Sequence, residues 1–548
     1  MKKKGGFPLS VLLLILLPLF PLVIAFVVYL VDAARDGLDL YELLDTLYNS
    51  LRIYSMGLVN RGQGRMFVGW EGMSRLLLEI ARWGAIAVVA VAAVKLLASA
   101  LQRLFVSLVA MSPYSFALHG DDAPVSRLKR ELGVRGIRAN VPEKYRAANH
   151  ILVFRSAKNL YAFLDDHYEK LIQRKNAHVF ICMSETIHSA QIDRHVVISD
   201  MTKNCARLYW KRLPLKPEER HVVLVGLGRY GSQLLTQALQ VNVFLKEREV
   251  VYHVFGSSGE YMARHPQLEQ VAAINRTEPG RDSVFFHHEP WYEAQDVLRC
   301  ADRVILCEDQ EEDNFPVMDY LLEQRVNSCV HVRVHSAGVL RALWQREPGA
   351  QSGVIPFGMD EELYRIDQVT NASLNARGRL AHAYYYRSYG EGCGKAERCL
   401  QHGDGKKKLG KCITCPEFDR DWDALSAYKR SSSLAQNDHA DVKIRELLGR
   451  EIENPGLAAD EAYEVYERLC EEEKRRWWDL EHRRWMRFLH MHGWKYAPVR
   501  SDEKLEHPLL VPFDELPDEE QRKDANAYEI LGEMSEYMAY RKEMIDQI

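Results

Sequence analysis

The segment HVVLVGLGRYGSQLL, His221 to Leu235, sets Gly226, Gly228 and Gly231 in GxGxxG spacing between an apolar run and a helical run. Holding a pyrophosphate needs that order. The first glycine permits a tight turn, and the second lets backbone approach the phosphates. The third lets helix pack closely on strand, and the helix N-terminus offers free N–H groups. Arg229 and Tyr230 stand inside the loop. A second constellation is Cys393, Cys399, Cys412 and Cys415, spaced C-x5-C-x12-C-x2-C around glycines and lysines. Four thiolates so placed suit a structural Zn²⁺, with His402 as a substitute ligand; a loop with free thiols is the alternative. His287, His288 and Glu289 read as a strand-end loop rather than a metal site.

A third group lies near the C-terminus: Arg483, Arg484, Trp485, Trp494, Tyr496 and His507. Guanidinium planes and aromatic rings can stack a base and pair a phosphate. The plainer alternative puts the tryptophans in a helix core and the arginines in solvent.

The elements that must position the glycine loop follow it at regular intervals. Short apolar runs at 250–255, 283–287, 304–307 and 330–335 read as strands, the third ending in Glu308 and Asp309. Helical intervals separate most of them, which predicts a doubly wound α/β sheet of Rossmann type. One departure stands out. The strand at 250–255 ends in Gly256, Ser257 and Ser258, where an acidic residue meets the ribose hydroxyls of NAD. Ser257 with Arg264 suits a phosphorylated ribose, or the site has lost its ligand. Runs at 149–154, 177–182 and 194–199 read as an earlier, degenerate α/β set whose first turn, FRSAKN, has no glycine.

Two apolar segments precede these domains. Val11 to Val31 holds 21 uncharged residues, about 30 Å of helix and one bilayer core. A cleaved signal peptide is the rival reading, with an apolar region longer than such peptides use. Ile80 to about Leu101 spans if Lys95 snorkels; an interfacial helix is the alternative. Lys2, Lys3 and Lys4 favour a cytoplasmic N-terminus, so two crossings return the chain to the cytoplasm. In the connecting loop, Leu40, Leu44, Leu47, Leu51 and Tyr54 share one helical face. No TVGYG-like filter is present, so potassium selectivity has no support.

The chain has 548 residues with 72 Lys and Arg against 76 Asp and Glu, so no global basic field points to nucleic acid. Its 47% hydrophobic content supports several packed domains, and ten cysteines at this length are not a disulfide scaffold.

GLGRYG after HVVLV, with ADRVILCEDQEEDN later, resembles the regulator-of-K⁺-conductance (RCK, Trk-type) nucleotide-binding domain over about residues 220–345. The resemblance implies a cytoplasmic site for NAD(H) or another adenine nucleotide, gating a membrane part, usually in a homo-oligomer. Gly226, Gly228, Arg229, Tyr230 and Gly231 match the phosphate loop, and Glu308 and Asp309 fall at the expected crevice. EHRRW (481–485), GWKYAP (493–498) and HPLLVPFDEL (507–516) resemble the ryanodine receptor repeat, or RyR domain. That resemblance implies ligand or partner binding rather than catalysis.

The expected layout is a membrane domain (1–112), a degenerate α/β segment (113–219) and an RCK-type Rossmann domain (220–358). A helix with a Cys-rich insert (359–421) and a mostly α-helical RyR domain (422–548) complete it. The expected protein is a multi-pass inner-membrane sensor or effector of a nucleotide-type ligand, channel-like, with a role in ion transport or defence signalling. A non-conducting adaptor with vestigial sites is the alternative. An NAD(P)-dependent oxidoreductase is disfavoured, because no acid or base is placed for hydride transfer.

Overall fold

The computed structural model describes residues 9–37, 39–55, 71–172, 174, 177–184, 196–245, 248–324, 329–338, 340, 354–370, 374–389, 422, 424–535, 537 and 538. The chain divides into two compact units, Met1–Leu108 and Val109–Ile548.

In the first unit, Leu9–Asp36 is one helix of 28 residues. The helix Leu40–Arg52 starts at Asp39, whose carboxylate accepts the Glu42 N–H at 2.8 Å. Ala25, Val28, Tyr29, Ile53, Leu78, Ala81 and Ala85 form a buried cluster. Small residues allow the close approach: a Cβ on Gly84 would stand 3.0 Å from the Pro21 ring. The apolar face predicted for Leu40–Arg52 points outward. Leu40, Leu44, Leu47 and Leu51 are exposed, and Thr46 and Ser50 are buried instead. The polar side can face inward because Ser50 Oγ donates to the Thr46 carbonyl at 2.7 Å. Gly72–Met111 is a helix of 40 residues. Among the described residues it is the one long and apolar enough to cross a membrane, with a mean hydropathy of 2.2 over its best window.

The second unit holds two parallel sheets. β1 (Phe116–Gly120), β2 (Gly136–Ile137), β3 (Asn149–Val153), β4 (His178–Met183) and β5 (Val196–Asp200) form the first, in order β2-β1-β3-β4-β5. This is a doubly wound order. The segment expected to be an earlier α/β set is a parallel sheet of five strands. Its first strand, FALHG, escapes the periodicity reading because it is short and ends in a lone glycine. Gly120 has φ +117°, and a Cβ there would lie 1.8 Å from the Val153 carbonyl oxygen. Asp121 closes the turn, its carboxylate accepting the Arg155 N–H at 2.7 Å.

The second sheet comprises β6 (His221–Val225), β7 (Val251–Phe255), β8 (Ala273–Ile274), β9 (Ser283–His287), β10 (Arg303–Leu306), β11 (Cys329–Arg333) and β12 (Val354–Phe357). Its order is β12-β11-β10-β6-β7-β9-β8, all parallel. Apart from the short edge strand β8 this is the Rossmann order, with the reversal between β6 and β10. One core joins the sheets: the helix Met201–Arg212 packs on Arg229–Val241, and Trp210 Nε1 donates to the Leu234 carbonyl at 2.9 Å.

The C-terminal region is helical, built on Ala376–Tyr389, Ala427–Leu448, Ala459–Arg468 and Glu471–Met491. The run from 459 to 491 is two helices rather than one. Leu469 and Cys470 turn extended, and Glu473 accepts the Cys470 N–H at 2.9 Å in a capping box that starts a new helix.

Candidate functional site

The glycine loop lies where the strand order reverses, at the carboxyl ends of β6 and β10. Ligands of open α/β sheets bind in that crevice. Each glycine is required by contact. Gly226 has φ +101°, and a Cβ on it would meet the Glu308 backbone nitrogen at 2.7 Å. A Cβ on Gly231 would lie 1.9 Å from the Gly226 carbonyl oxygen, and one on Gly228 would lie 2.7 Å from Asp309 Cγ.

The last contact shows what fills the loop. Gly228 starts the helix Arg229–Val241 with no side-chain cap of its own. The Asp309 carboxylate takes that place. Its Oδ1 accepts the Tyr230 N–H at 3.3 Å, and its Oδ2 pairs with Arg229 Nε at 3.2 Å. A carboxylate thus sits at the helix end where an anionic ligand would sit. Glu308 lies beside it; burial raises its carboxyl above the usual range, and Asp313 and Asp309 add to that. Arg333 supports the segment from below. It is fully buried, lies 4.2 Å over the Tyr230 ring, and donates to the Glu308 and Asp309 carbonyls at 3.1 and 2.8 Å. Its Nη1 has no partner among the described residues. Cys307 donates to the Gly226 carbonyl at 3.2 Å, and burial pushes its thiol well up.

Ser257 is exposed just past the end of β7. Arg264 pairs with Glu260 at 2.6 Å one helical turn away. Arg333, Asn314 and Cys307 were missed in the sequence. Arg333 carries a legible signal, a lone cation inside the apolar strand CVHVR; Asn314, which accepts the Glu308 N–H at 2.9 Å, carries none.

In the C-terminal region the aromatics converge and the arginines diverge. Trp485 and Trp494 flank His507, with ring centroids 5.1 and 6.0 Å away, and Tyr428 stacks on Trp494 at 5.5 Å. Tyr496 is exposed. Arg484 is buried against Glu481 at 2.6 Å, in a network that Lys443 completes. Burial alone would raise the Glu481 carboxyl, but Arg484 and Lys443 hold it down to about 2. Arg483 turns to the Rossmann sheet's side, pairing with Asp479 at 3.1 Å and donating to the Phe244 carbonyl at 3.0 Å. Arg500 takes the position near the rings, 5.9 Å from the Trp494 centroid. The four cysteines lie outside the described residues, and no metal-holding group occurs among the described ones.

The fold and loop therefore define a parallel α/β protein with a Rossmann-order sheet and a glycine loop at its switch point. No protein-family model matches the chain, and no curated protein or solved structure matches it.

Proposed function

We propose that the chain is a membrane-anchored sensor of a nucleotide-type ligand. In this reading an RCK-like Rossmann domain and an RyR-type C-terminal domain regulate a two-helix membrane part. The observation that carries it is the glycine loop at the switch point of a Rossmann-order sheet, on a chain that also has a 40-residue apolar helix. That helix is about 60 Å long, twice a bilayer core, so half of it extends beyond the lipid. The reading takes Leu9–Asp36 as the other crossing on its uncharged run from Val11 to Val31, and the outward leucines of Leu40–Arg52 suit an apolar surrounding.

The ligand's phosphate displaces the Asp309 carboxylate from the start of Arg229–Val241 and takes over Arg229 and the Tyr230 N–H. Asp309 shares its segment with the carbonyls that Arg333 holds, so its release reorders 308–313. That gives the ligand a differential affinity for two states, which regulation requires. NAD(H) or another adenine nucleotide is the ligand class, with Ser257 in the ribose position. Cys393, Cys399, Cys412 and Cys415 hold a structural zinc. The working form is a homo-oligomer in the inner membrane with its large C-terminal region cytoplasmic.

The test is liposome flux. Protein reconstituted into vesicles should change ion flux when NAD⁺, ADP-ribose or ATP is added on the side of the C-terminal region. A protein that binds ligand yet never alters flux is the adaptor instead. A protein released from membranes by alkaline carbonate refutes the membrane reading.

A further inference from the structure

A second cluster of charge lies at the far end of the same helix. The end of Met201–Arg212, the connection Pro214–Glu218, the end of Arg229–Val241 and the helix Ala427–Leu448 enclose a cleft of about 780 Å³. That is within the size range of small-molecule sites, roughly 300–1,000 Å³. Seven cationic and five acidic side chains line it. Three of the acids are already matched. Arg207 grips Asp438 through two contacts at 2.6 and 2.9 Å, Arg377 pairs with Asp441 at 2.6 Å, and Arg248 lies 3.6 Å from Glu446.

Two uncommitted lysines point to an anion. Lys211 and Lys216 are exposed to the cleft, and among the described residues neither ammonium has a hydrogen-bond or ion-pair partner. Among the described residues, the Nε atoms of Arg248 and Arg445 are buried without acceptors. Although Lys211 opens on the cleft, the walls around its ammonium partly desolvate it and, with the Arg377 guanidinium, lower its pKa below the usual range; a bound anion offsets both.

The structural alternative is that these cations neutralise helix C-termini. Arg248 donates to the Leu215 and Lys216 carbonyls and Arg445 to those of Asp441 and Ile452, and the other nearby carbonyls are served from outside the cleft. Arg487 donates to the Leu239 carbonyl, His439 contacts that of Val243, and Arg483 donates to that of Phe244. Arg303 donates to the carbonyls of Leu213 and Pro214. Lys211 and Lys216 are left for a guest.

We infer that this cleft binds a small molecule bearing a di- or triphosphate, held by Lys211, Lys216, Arg248 and Arg445. The site is separate from the glycine loop and stands independently of it. Its walls come from the first sheet's last helix, the Rossmann helix and the C-terminal domain, so its ligand ties the three together.

The test is calorimetric titration of the full chain in detergent micelles with inorganic triphosphate, at low and moderate salt. A saturable cleft site is expected, weakening with salt, apart from any binding at the glycine loop. Lys211→Glu and Lys216→Glu should each weaken it about tenfold or more, and Gly228→Asp should leave it unchanged. Thermal unfolding checks each variant's fold, and Lys211→Gln replaces any that fails. No saturable binding by wild type, wild-type affinity in both lysine variants, or loss in Gly228→Asp alone overturns the inference.

Discussion

Replacing Asp309 by asparagine separates the two things its carboxylate does. Asparagine keeps an acceptor for the Tyr230 N–H but removes the charge that faces an incoming phosphate. Two unit charges about 4 Å apart interact by ~1 kcal/mol in water and ~4 kcal/mol at an effective dielectric near 20. The Asp309 side chain is 29% exposed and beside Arg229, which places the effect near the lower value. Asp309→Asn should therefore tighten nucleotide binding about tenfold, or ~1.4 kcal/mol. The cost to folding is small, since a partly exposed ion pair contributes ~0.2–1 kcal/mol. Calorimetry on wild type and variant, with melting temperatures alongside, reads both quantities. Equal or weaker affinity in a variant that melts like wild type refutes the displacement argument.

Other perturbations have defined signs. Gly231→Ala drives a methyl into the Gly226 carbonyl oxygen, costing ~1–3 kcal/mol; an unchanged melting temperature contradicts the close packing. His119 and His150 are buried, with ring nitrogens 3.3 Å apart. Burial first, then Lys144, holds them to about 2 and about 4; His150 and His167 also act on His119. Folded-state values below the unfolded one mean stability is full above about pH 6.5 and is lost as pH falls through that window. His150→Gln should flatten the decline of melting temperature between about pH 6.5 and 4; an unaltered slope contradicts it. Purified protein should carry about one zinc per chain, and Cys412→Ser with Cys415→Ser should remove it; equal metal content in the double variant contradicts the assignment.

The Rossmann-order sheet was legible because its strands are continuous apolar runs, the signature of strands buried on both faces. The glycine loop was legible because its spacing follows from contacts that exclude a Cβ. β1 was not legible, since five residues of FALHG carry no period that distinguishes them from a buried turn. The directions of Arg483 and Arg484 were not legible either. Adjacent on one helix, they point about 100° apart, and which one meets a ligand depends on what packs there. Glu481 three residues before Arg484 hinted at the internal pair. The capture of the phosphate loop by Asp309 needed the spatial neighbourhood of β6 and β10, which sequence order conceals.

The most direct measurement is calorimetric titration of the full chain in detergent micelles with NAD⁺, NADP⁺, ADP-ribose, ATP and cyclic dinucleotides, on wild type and Gly228→Asp. The account predicts that at least one nucleotide binds wild type saturably at a site that Gly228→Asp removes and Lys211→Glu leaves intact. Silence with every nucleotide, or no site lost in Gly228→Asp, contradicts a sensor built on the glycine loop.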